Sequence, residues 1–171
     1  MTVDVLLIGG RSGAGKSSVG WEVAALLRAA DLAHAYIEGD FLDAAHPADP
    51  SFAGRNLAAL WDTYRSAGLR RLVYTNTASV LASEAGLFTA ALAPGPVRIV
   101  RVLLTASDAT VRTRLRAREQ GSELEQQLRR SATMAGRLEA GVPAGTVRIA
   151  TDARTVPQVA RTVLDATGWA A

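Results

Sequence analysis

The chain has 171 residues, of which 49% are hydrophobic and 20% charged, a composition typical of one globular domain with a substantial core. It contains no cysteine, which excludes disulfide bonds and thiolate metal sites, and no apolar run approaches the roughly 20 residues of a membrane span. The net charge of +3 favours a mildly basic surface over a binding face for nucleic acid.

The chain opens on a short apolar run that predicts a strand covered on both faces, because the run is nearly continuous and rich in β-branched residues. Its members are Val3, Val5, Leu6, Leu7 and Ile8. No charged and then apolar leader precedes the run, so we expect a cytoplasmic protein. Beyond residue 17, apolar residues recur at helical spacing and predict the first helix. They are Val19, Val23, Leu26, Leu27 and Ala30.

Between this strand and helix lies the segment GRSGAGKS, residues 10–17, which fits the phosphate-binding pattern G-x-x-x-x-G-K-[ST]. Its glycines free backbone N–H groups to surround phosphate oxygens, and the helix adds its positive N-terminal end. Lys16 is the only lysine among 19 basic residues, and a compact ammonium suits the space between β- and γ-phosphates better than a planar guanidinium. The segment therefore predicts a site for a nucleoside triphosphate. The residues expected to hold the nucleotide are Gly10, Ser12, Gly13, Ala14, Gly15, Lys16, Ser17 and Ser18.

Within this loop, the Ser17 hydroxyl is expected to bind Mg²⁺ while Lys16 neutralises the β- and γ-phosphates. Arg11 has two interpretations: it contacts a phosphate or the acceptor, or it is simply solvated.

The second predicted strand, residues 33–38, ends at Gly39 and Asp40. A carboxylate at this strand end would lie near the γ-phosphate, where it could take the proton of an attacking hydroxyl or hold Mg²⁺. We favour this role for Asp40 over an ordinary turn aspartate, whereas for Glu38 and Asp43 the two interpretations are balanced. His34 is expected within the strand as a structural residue.

A proline-containing loop follows to about residue 54, and a helix then carries an apolar face that includes Leu57 and Trp61. Arg55 and Asn56, at the start of that helix, are the predicted contacts to the acceptor. All three tryptophans, Trp21, Trp61 and Trp169, are interpreted as core or helix-face packing.

The third predicted strand, residues 69–75, is not followed by the aspartate that supports the metal in many proteins with this loop. The metal carboxylate is then expected from strand two, which strengthens Asp40. Asn76 and Thr77 are candidates for hydrogen bonds to acceptor or phosphate, and the alternative is a polar cap on the next helix, residues 79–92.

The fourth predicted strand, residues 97–105, leads into a helix on which Arg114 and Arg118 share one face. Gly121 interrupts this helix, and a capping-box pattern begins another that runs to about residue 140. The arrangement predicts a helical lid at about residues 112–127, whose arginines bring positive charge to a transferring phosphoryl group. The alternative is a charged outer face with Arg–Glu pairs.

The last strand is predicted at residues 146–150, followed by a loop, 151–154, that would lie beside the adenine, and by a capped final helix. Five strands separated by helices predict an α/β protein with one parallel sheet between two helical layers, in a single domain over residues 1–171. Ligands in such sheets bind beyond the carboxyl ends of the strands.

These patterns resemble the small-molecule kinases of the P-loop NTPase superfamily, of the shikimate, gluconate and adenylylsulfate kinase type. The resemblance rests on residues 10–17, on YIEGD at 36–40 and on RLRAR at 114–118, with a faint echo of the gluconate kinases in His46-Pro47 and Asn56. It implies ATP and Mg²⁺, the strand order 2-3-1-4-5 and phosphoryl transfer to a hydroxyl. The glycine triplet that shikimate kinases carry after strand three is absent, so the acceptor stays open, with antibiotics and other secondary metabolites among the options.

The sequence therefore predicts an ATP-dependent kinase for a small hydroxylated acceptor. Lys16, Asp40, Arg114 and Arg118 are the expected catalytic residues, with Arg114 also on the nucleotide and with Ser17 and Asp40 on the metal. The predicted acceptor contacts are Asp40, Asp43, Arg55, Asn56, Asn76 and Thr77. The alternatives are a nucleotide-binding switch that acts through a protein partner and a kinase of nucleic-acid ends, and the oligomeric state, monomer or homodimer, is left open.

Overall fold

The computed structural model describes residues 1–117 and 122–169. In this part of the chain, five strands form one parallel sheet. They are β1 (Val3–Gly9), β2 (Ala35–Glu38), β3 (Arg71–Thr75), β4 (Val97–Thr105) and β5 (Val147–Ala150). Their order across the sheet is β2-β3-β1-β4-β5, which confirms the predicted topology.

Six α-helices connect and flank these strands. They are α1 (Lys16–Ala29), α2 (Phe52–Ser66), α3 (Ala85–Ala91), α4 (Asp108–Arg116), α5 (Ser122–Gly141) and α6 (Val156–Asp165). Two short 3₁₀ turns, Gly39–Phe41 after β2 and Ala82–Glu84 before α3, complete the elements of the described residues. No helix among residues 1–117 and 122–169 is long and apolar enough to cross a membrane.

The side chains of β1 show why the sheet is covered on both faces. Val5 and Leu7 belong to a core cluster shared with α2, α3 and α5, whereas Leu6 and Ile8 belong to a second cluster shared with α1 and α6. Successive side chains of a strand point to opposite faces, so a continuous apolar run fills both layers. All four side chains are fully buried. β1 is therefore the central strand, and the loop that follows Gly9 lies at the carboxyl edge of the sheet.

Several predicted element boundaries were displaced. β2 begins at Ala35, so His34 precedes the strand, and its Nδ1 lies 2.7 Å from the Leu32 carbonyl oxygen. The helix predicted from residue 79 begins only at Ala85, because the Ser79 hydroxyl bonds back to the Asn76 carbonyl and holds a turn there. The capping box Thr155–Gln158 at the start of α6 is confirmed.

The tryptophans were predicted to pack in the core or on a helix face. Trp61 and Trp169 are buried, whereas Trp21 packs on the face of α1. The Trp21 side chain is 57% exposed and contacts the Tyr36 ring at a centroid distance of 4.6 Å. Helical spacing placed it on α1, but the facing β2 is the edge strand of the sheet and leaves that side of the helix open.

Gly39 separates β2 from the first 3₁₀ turn, and its backbone packs directly against the Tyr74 ring and hydroxyl. A methyl group at this position would overlap the buried tyrosine. We expect Gly39→Ala to lower the free energy of unfolding by roughly 1–3 kcal/mol, since overpacking in a filled core costs about that much. Chemical denaturation measures the loss.

Gly136 supplies the matched control for that substitution. It lies inside α5, and no atom is within 4 Å of an added Cβ. Gly136→Ala should therefore stabilise the protein by about 0.5–1 kcal/mol through helix propensity. Equal effects of the two substitutions would show that Gly39 is not held against Tyr74.

Candidate functional site

The glycine loop joins β1 to α1 and adopts a conformation that requires glycine. Gly10, Gly13 and Gly15 have φ values of 150°, 84° and 99°. These values lie in the region that L-residues with a Cβ rarely adopt. In the described part of the chain, the amides of Gly13 and Gly15 donate to no protein acceptor, and α1 begins at the next residue, Lys16. The loop thus presents backbone donors and a helix N-terminus to the same space, which is the arrangement that binds phosphate.

Arg114 of α4 holds the opposite side of the loop. Its Nη1 donates to the carbonyl oxygens of Gly13 (3.1 Å) and Ala14 (3.3 Å) and to Thr151 Oγ1 (2.9 Å), and its Nη2 donates to the Thr151 carbonyl (3.1 Å). Because the guanidinium binds the loop carbonyls, the amides are left to face the phosphate side. In this structure Arg114 therefore ties the loop to the segment after β5.

Arg11 forms a second tie, and the expectation that it is solvated was wrong. The residue is 8% exposed; its Nη1 donates to Asp108 Oδ1 at 2.6 Å and its Nε to Ser131 Oγ at 3.0 Å. The buried Ser131 hydroxyl in turn donates to the Ser12 carbonyl at 2.9 Å. Arg11 thus joins the glycine loop to α4 and α5.

One cavity, of about 310 Å³, lies along the loop beside α4 and α6. Apolar groups from the loop, α1 and α6 form much of its wall, and Arg114, Thr151 and Arg154 add polar groups. Its lining residues are Gly13, Ala14, Gly15, Ser18, Val19, Arg114, Ala117, Thr151, Arg154, Val156 and Val159. Size and lining suit a nucleoside, and Thr151 and Arg154, from the loop after β5, form part of the wall.

A second cavity, of about 230 Å³, lies at the other side of the loop and has Gly13 and Gly15 in common with the first. Polar groups dominate its wall, and they include the Lys16 ammonium and the Asp40 carboxylate. Its lining residues are Ser12, Gly13, Gly15, Lys16, Ser17, Asp40, Leu115 and Gln127. We call it the phosphate cavity, after the phosphate-binding pattern of the loop that lines it.

Glu38, the last residue of β2, contacts Ser17 directly. The Ser17 hydroxyl donates to Glu38 Oε1, and the Tyr36 hydroxyl lies 3.5 Å from Glu38 Oε2 and 3.1 Å from Thr75 Oγ1. Burial raises the pKa of Tyr36 to about 12, and the nearby Glu38 charge adds to the rise, so the phenol stays protonated. The Ser17 hydroxyl and the Glu38 carboxylate are therefore in contact next to Lys16, and the neutral Tyr36 hydroxyl helps to hold the carboxylate.

Asp40 lies two residues beyond Glu38, in the 3₁₀ turn Gly39–Phe41, and its Oδ1 accepts a hydrogen bond of 2.6 Å from Asn76 Nδ2. The Asn76 side-chain oxygen accepts from the Ala78 amide at 2.9 Å, which fixes the orientation of the donor. The two strand ends are thus joined across the cavity mouth. The carboxylate of Asp40 is left facing the cavity that Lys16 and Ser17 line.

The remaining predicted acceptor residues line neither of the two cavities. Asn56 is exposed and donates to the Leu42 carbonyl at 2.7 Å, so its amide supports the loop after β2. Arg55 and Asp43 are exposed, and the Thr77 carbonyl accepts from the Gly10 amide at 3.3 Å.

Residues 118–121 lie outside the described residues, and with them the predicted roles of Arg118 and the Gly121 break. In the described part, α4 and α5 pack through Val111, Leu115 and Leu128, and Arg112 forms an exposed pair with Glu125 at 3.8 Å. The helical hairpin is therefore present, with one Arg–Glu pair of the kind that the alternative interpretation expected. The closing motion of a lid stays a prediction.

Sequence reasoning missed Gln127, which lines the phosphate cavity, and the tie between Arg11 and Ser131. No sequence pattern indicates either feature. Ser131, for example, lies 120 residues from Arg11 and is an ordinary helix residue. The sequence leaves two balanced interpretations for Glu38, and the contact between Glu38 and Ser17 depends on the pairing of distant segments.

Asp152 follows β5 and caps the start of α4. Its carboxylate accepts from the Ser107 amide (3.0 Å), the Ser107 hydroxyl (2.7 Å) and the Thr110 hydroxyl (2.6 Å). These hydrogen bonds, that of Thr110 first, lower the pKa of Asp152 from its usual 3.8 to about 2. Folding therefore favours the charged form of Asp152. The stabilisation that this carboxylate gives to the folded protein is complete above about pH 4 and is lost as the pH falls through 2.

Asp152→Asn should therefore lower the urea midpoint at pH 7, and the difference from wild type should shrink as the pH falls from 4 towards 2. Urea unfolding at pH 7, 4 and 2.5 measures it. A difference that stays constant over this range would contradict a role for the charge.

Known proteins of solved structure share this fold. No protein-family model and no curated protein matches the sequence. Solved structures do match. A gluconokinase from Sinorhizobium meliloti 1021 superposes with a TM-score of 0.64 at 23% identity, over 96% of this chain and 91% of that one. The APS kinase of Mycobacterium tuberculosis, in complex with AMPPNP and APS, gives 0.55 at 19% identity, over 96% of each chain.

The shikimate kinase of Acinetobacter baumannii, in complex with shikimate, gives a TM-score of 0.58 at 17% identity, over 96% of this chain and 92% of that one. The chain therefore has the three-layer fold of the P-loop small-molecule kinases, over nearly its whole length. The resemblance predicted from the glycine loop and the motifs at 36–40 and 114–118 is confirmed at the level of the fold, and so is the strand order that it implied.

Proposed function

We propose that this protein is an ATP-dependent phosphotransferase that moves the γ-phosphoryl group to a hydroxyl of a small molecule. One observation carries the proposal: the phosphate cavity brings Lys16, Ser17 and Asp40 together at the end of a nucleoside-sized cavity, with Glu38 on Ser17. The kinase fold supports it, and the APS kinase neighbour was solved with AMPPNP, an ATP analogue. An ATP-dependent reaction fits the cytoplasmic location predicted from the sequence.

The nucleotide would lie with its base and ribose along Val156 and Val159 and with its phosphates in the glycine loop. The Gly13 and Gly15 amides would bind phosphate oxygens, and Lys16 would neutralise the β- and γ-phosphates. Arg114 would lie on the side of the loop away from the phosphates. It binds the loop carbonyls and so keeps the amides oriented towards the phosphates.

The residues present fit Mg²⁺. Magnesium prefers oxygen ligands and takes only one or two from the protein, the rest coming from water and phosphate. Ser17 and Glu38 offer a hydroxyl and a carboxylate in contact, and Asp40 lies in the same cavity. Groups of three His, Asp or Glu side chains that could hold a metal ion are absent from the described residues. When bound, the ion would neutralise charge on the phosphates.

Asp40 would orient the acceptor hydroxyl and take its proton. In the transfer, the acceptor oxygen forms a bond to the γ-phosphorus, the bond from that phosphorus to the β–γ bridging oxygen breaks, and ADP leaves. The hydrogen bond from Asn76 holds Asp40 in position but leaves its second oxygen available to the hydroxyl.

The test is ADP release from Mg·ATP in the presence of single hydroxyl compounds: sugars, sugar acids, nucleosides, shikimate, adenylylsulfate and antibiotics. We expect slow ADP release without an acceptor and strong stimulation by one chemical class. ATP binding with no stimulation by any compound would contradict the proposal and favour a nucleotide-binding switch.

A further inference from the structure

The acceptor side of the site carries negative charge. Two segments follow β2 and β3 and flank the phosphate cavity, residues 38–56 and 76–91, and together they contain five carboxylates, one arginine and no lysine. The carboxylates are Glu38, Asp40, Asp43, Asp49 and Glu84. The arginine, Arg55, interacts electrostatically with Asp49, at the far end of the first segment.

Three of these carboxylates act electrostatically on one residue next to Asp40. Burial raises the pKa of Tyr74, and the charges of Asp40, Asp43 and Glu84 add to the rise, while the Tyr74 hydroxyl packs against Gly39. Asp40 is bonded there to a neutral partner, Asn76. Among residues 1–117 and 122–169, the side-chain ion pairs involve none of the three. Asp40 lines the phosphate cavity, so negative charge borders whatever binds there.

An exposed aromatic ring accompanies this charge. Phe41 directly follows Asp40 in the 3₁₀ turn, and 74% of the residue is exposed. Aromatic faces attract ammonium groups, and carboxylates pair with them, so this ring and these carboxylates share a preference for the same ligand charge.

We propose that the acceptor is a hydroxyl compound that carries a protonated amine, such as an amino sugar or a larger aminocyclitol, held by Asp43, Glu84 and Phe41 while Asp40 receives the hydroxyl proton. The inference rests on the proposed function. The glycine loop locates the site, and the carboxylates determine the sign of the charge that an acceptor meets there. A carboxylate-bearing acceptor would be repelled by the same groups, because no cation of segments 38–56 and 76–91 other than Arg55 and a protonated His46 could pair with it.

The experiment uses full-length protein with Mg·ATP at pH 7 and a panel in three equal parts: amine-bearing, neutral and carboxylate-bearing hydroxyl compounds. It contains matched sets such as glucosamine, N-acetylglucosamine, glucose and gluconate, and an aminoglycoside with its N-acetylated form. We expect the amine-bearing members to have kcat/KM values about tenfold or more above their N-acetylated counterparts at low salt. The preference should shrink at high salt.

Two results overturn the inference in distinguishable ways. Transfer to neutral or carboxylate-bearing compounds as fast as to amines would contradict the charge assignment and leave the phosphotransferase intact. ATP binding without transfer to any member of the three classes would overturn the proposed function and this inference with it.

Two substitutions that each remove one negative charge locate the effect. Glu84→Gln should lower the ratio of kcat/KM for the amine to that for its N-acetyl form by about two- to fivefold, since an exposed charge pair is worth that much. Asp165→Asn, at the exposed end of α6 away from the loop, removes the same charge and should leave the ratio unchanged. Equal ratios in wild type and both variants would show that Glu84 does not face the acceptor.

Discussion

Replacement of Lys16 by alanine is expected to lower kcat for phosphoryl transfer by about 10²–10³-fold, because the substitution removes a positive group aimed at charge that develops in the transition state. Lys16 lines the phosphate cavity and begins α1, so its ammonium adds to the N-terminal end of the helix. The loop conformation itself depends on the positive φ angles of Gly10, Gly13 and Gly15, and these do not change. Single-turnover measurements with saturating Mg·ATP would isolate the chemical step.

Lys16→Arg is the matched control, because it keeps the charge and changes the shape. A planar guanidinium cannot occupy the place of a compact ammonium, so we expect this variant to be strongly impaired as well. Both variants should unfold at nearly the wild-type temperature, since Lys16 is outside the apolar core. Full activity in either variant would contradict the assigned role of the lysine.

Replacement of Asp40 by asparagine is expected to lower kcat by about 10²–10⁴-fold while ATP affinity stays near that of wild type. Asparagine is nearly isosteric but cannot take a proton from the acceptor hydroxyl. Asp40 lies in the same cavity as Lys16 and Ser17, on the acceptor side of the glycine loop. Turnover with the preferred acceptor and calorimetric titration with ATP measure the two effects separately.

Asn76→Ala supplies the comparison for Asp40. Asn76 donates to Asp40 Oδ1 at 2.6 Å, so its loss should misplace the carboxylate and lower kcat by roughly tenfold, a smaller loss than that from Asp40→Asn. Retention of the wild-type kcat in Asp40→Asn would remove Asp40 from the reaction. Glu38, which contacts Ser17, would then be the next candidate for the group that takes the proton of the acceptor hydroxyl.

The fold was predictable because its signals are local. The apolar run of β1 fills both faces of a sheet, the glycine pattern after Gly9 marks a strand–loop–helix unit, and the alternation of strands and helices leaves few topologies. Element ends were less predictable. The late start of α3 depends on a hydroxyl-to-carbonyl bond between Ser79 and Asn76, which competes with helix formation and has no periodic signature.

The site was predictable only where residues are close in sequence. The glycine loop and the Glu38–Asp40 segment are contiguous motifs, whereas the tie of Arg11 to Asp108 and Ser131 joins segments about a hundred residues apart. Arg114 was expected on the nucleotide, and its bonds to the loop carbonyls of Gly13 and Ala14 arise from the way α4 packs. Such contacts depend on how distant segments pack, which composition and residue spacing do not predict.

The most direct test of the central claim follows the γ-phosphoryl group itself. ATP labelled in the γ-phosphate is incubated with Mg²⁺, the protein and the acceptor panel, and the products are separated and identified by mass spectrometry. The account predicts that the label appears on one class of hydroxyl compound, in an amount equal to the ADP formed, and that Lys16→Ala abolishes it. Label found only in inorganic phosphate would contradict a phosphotransferase.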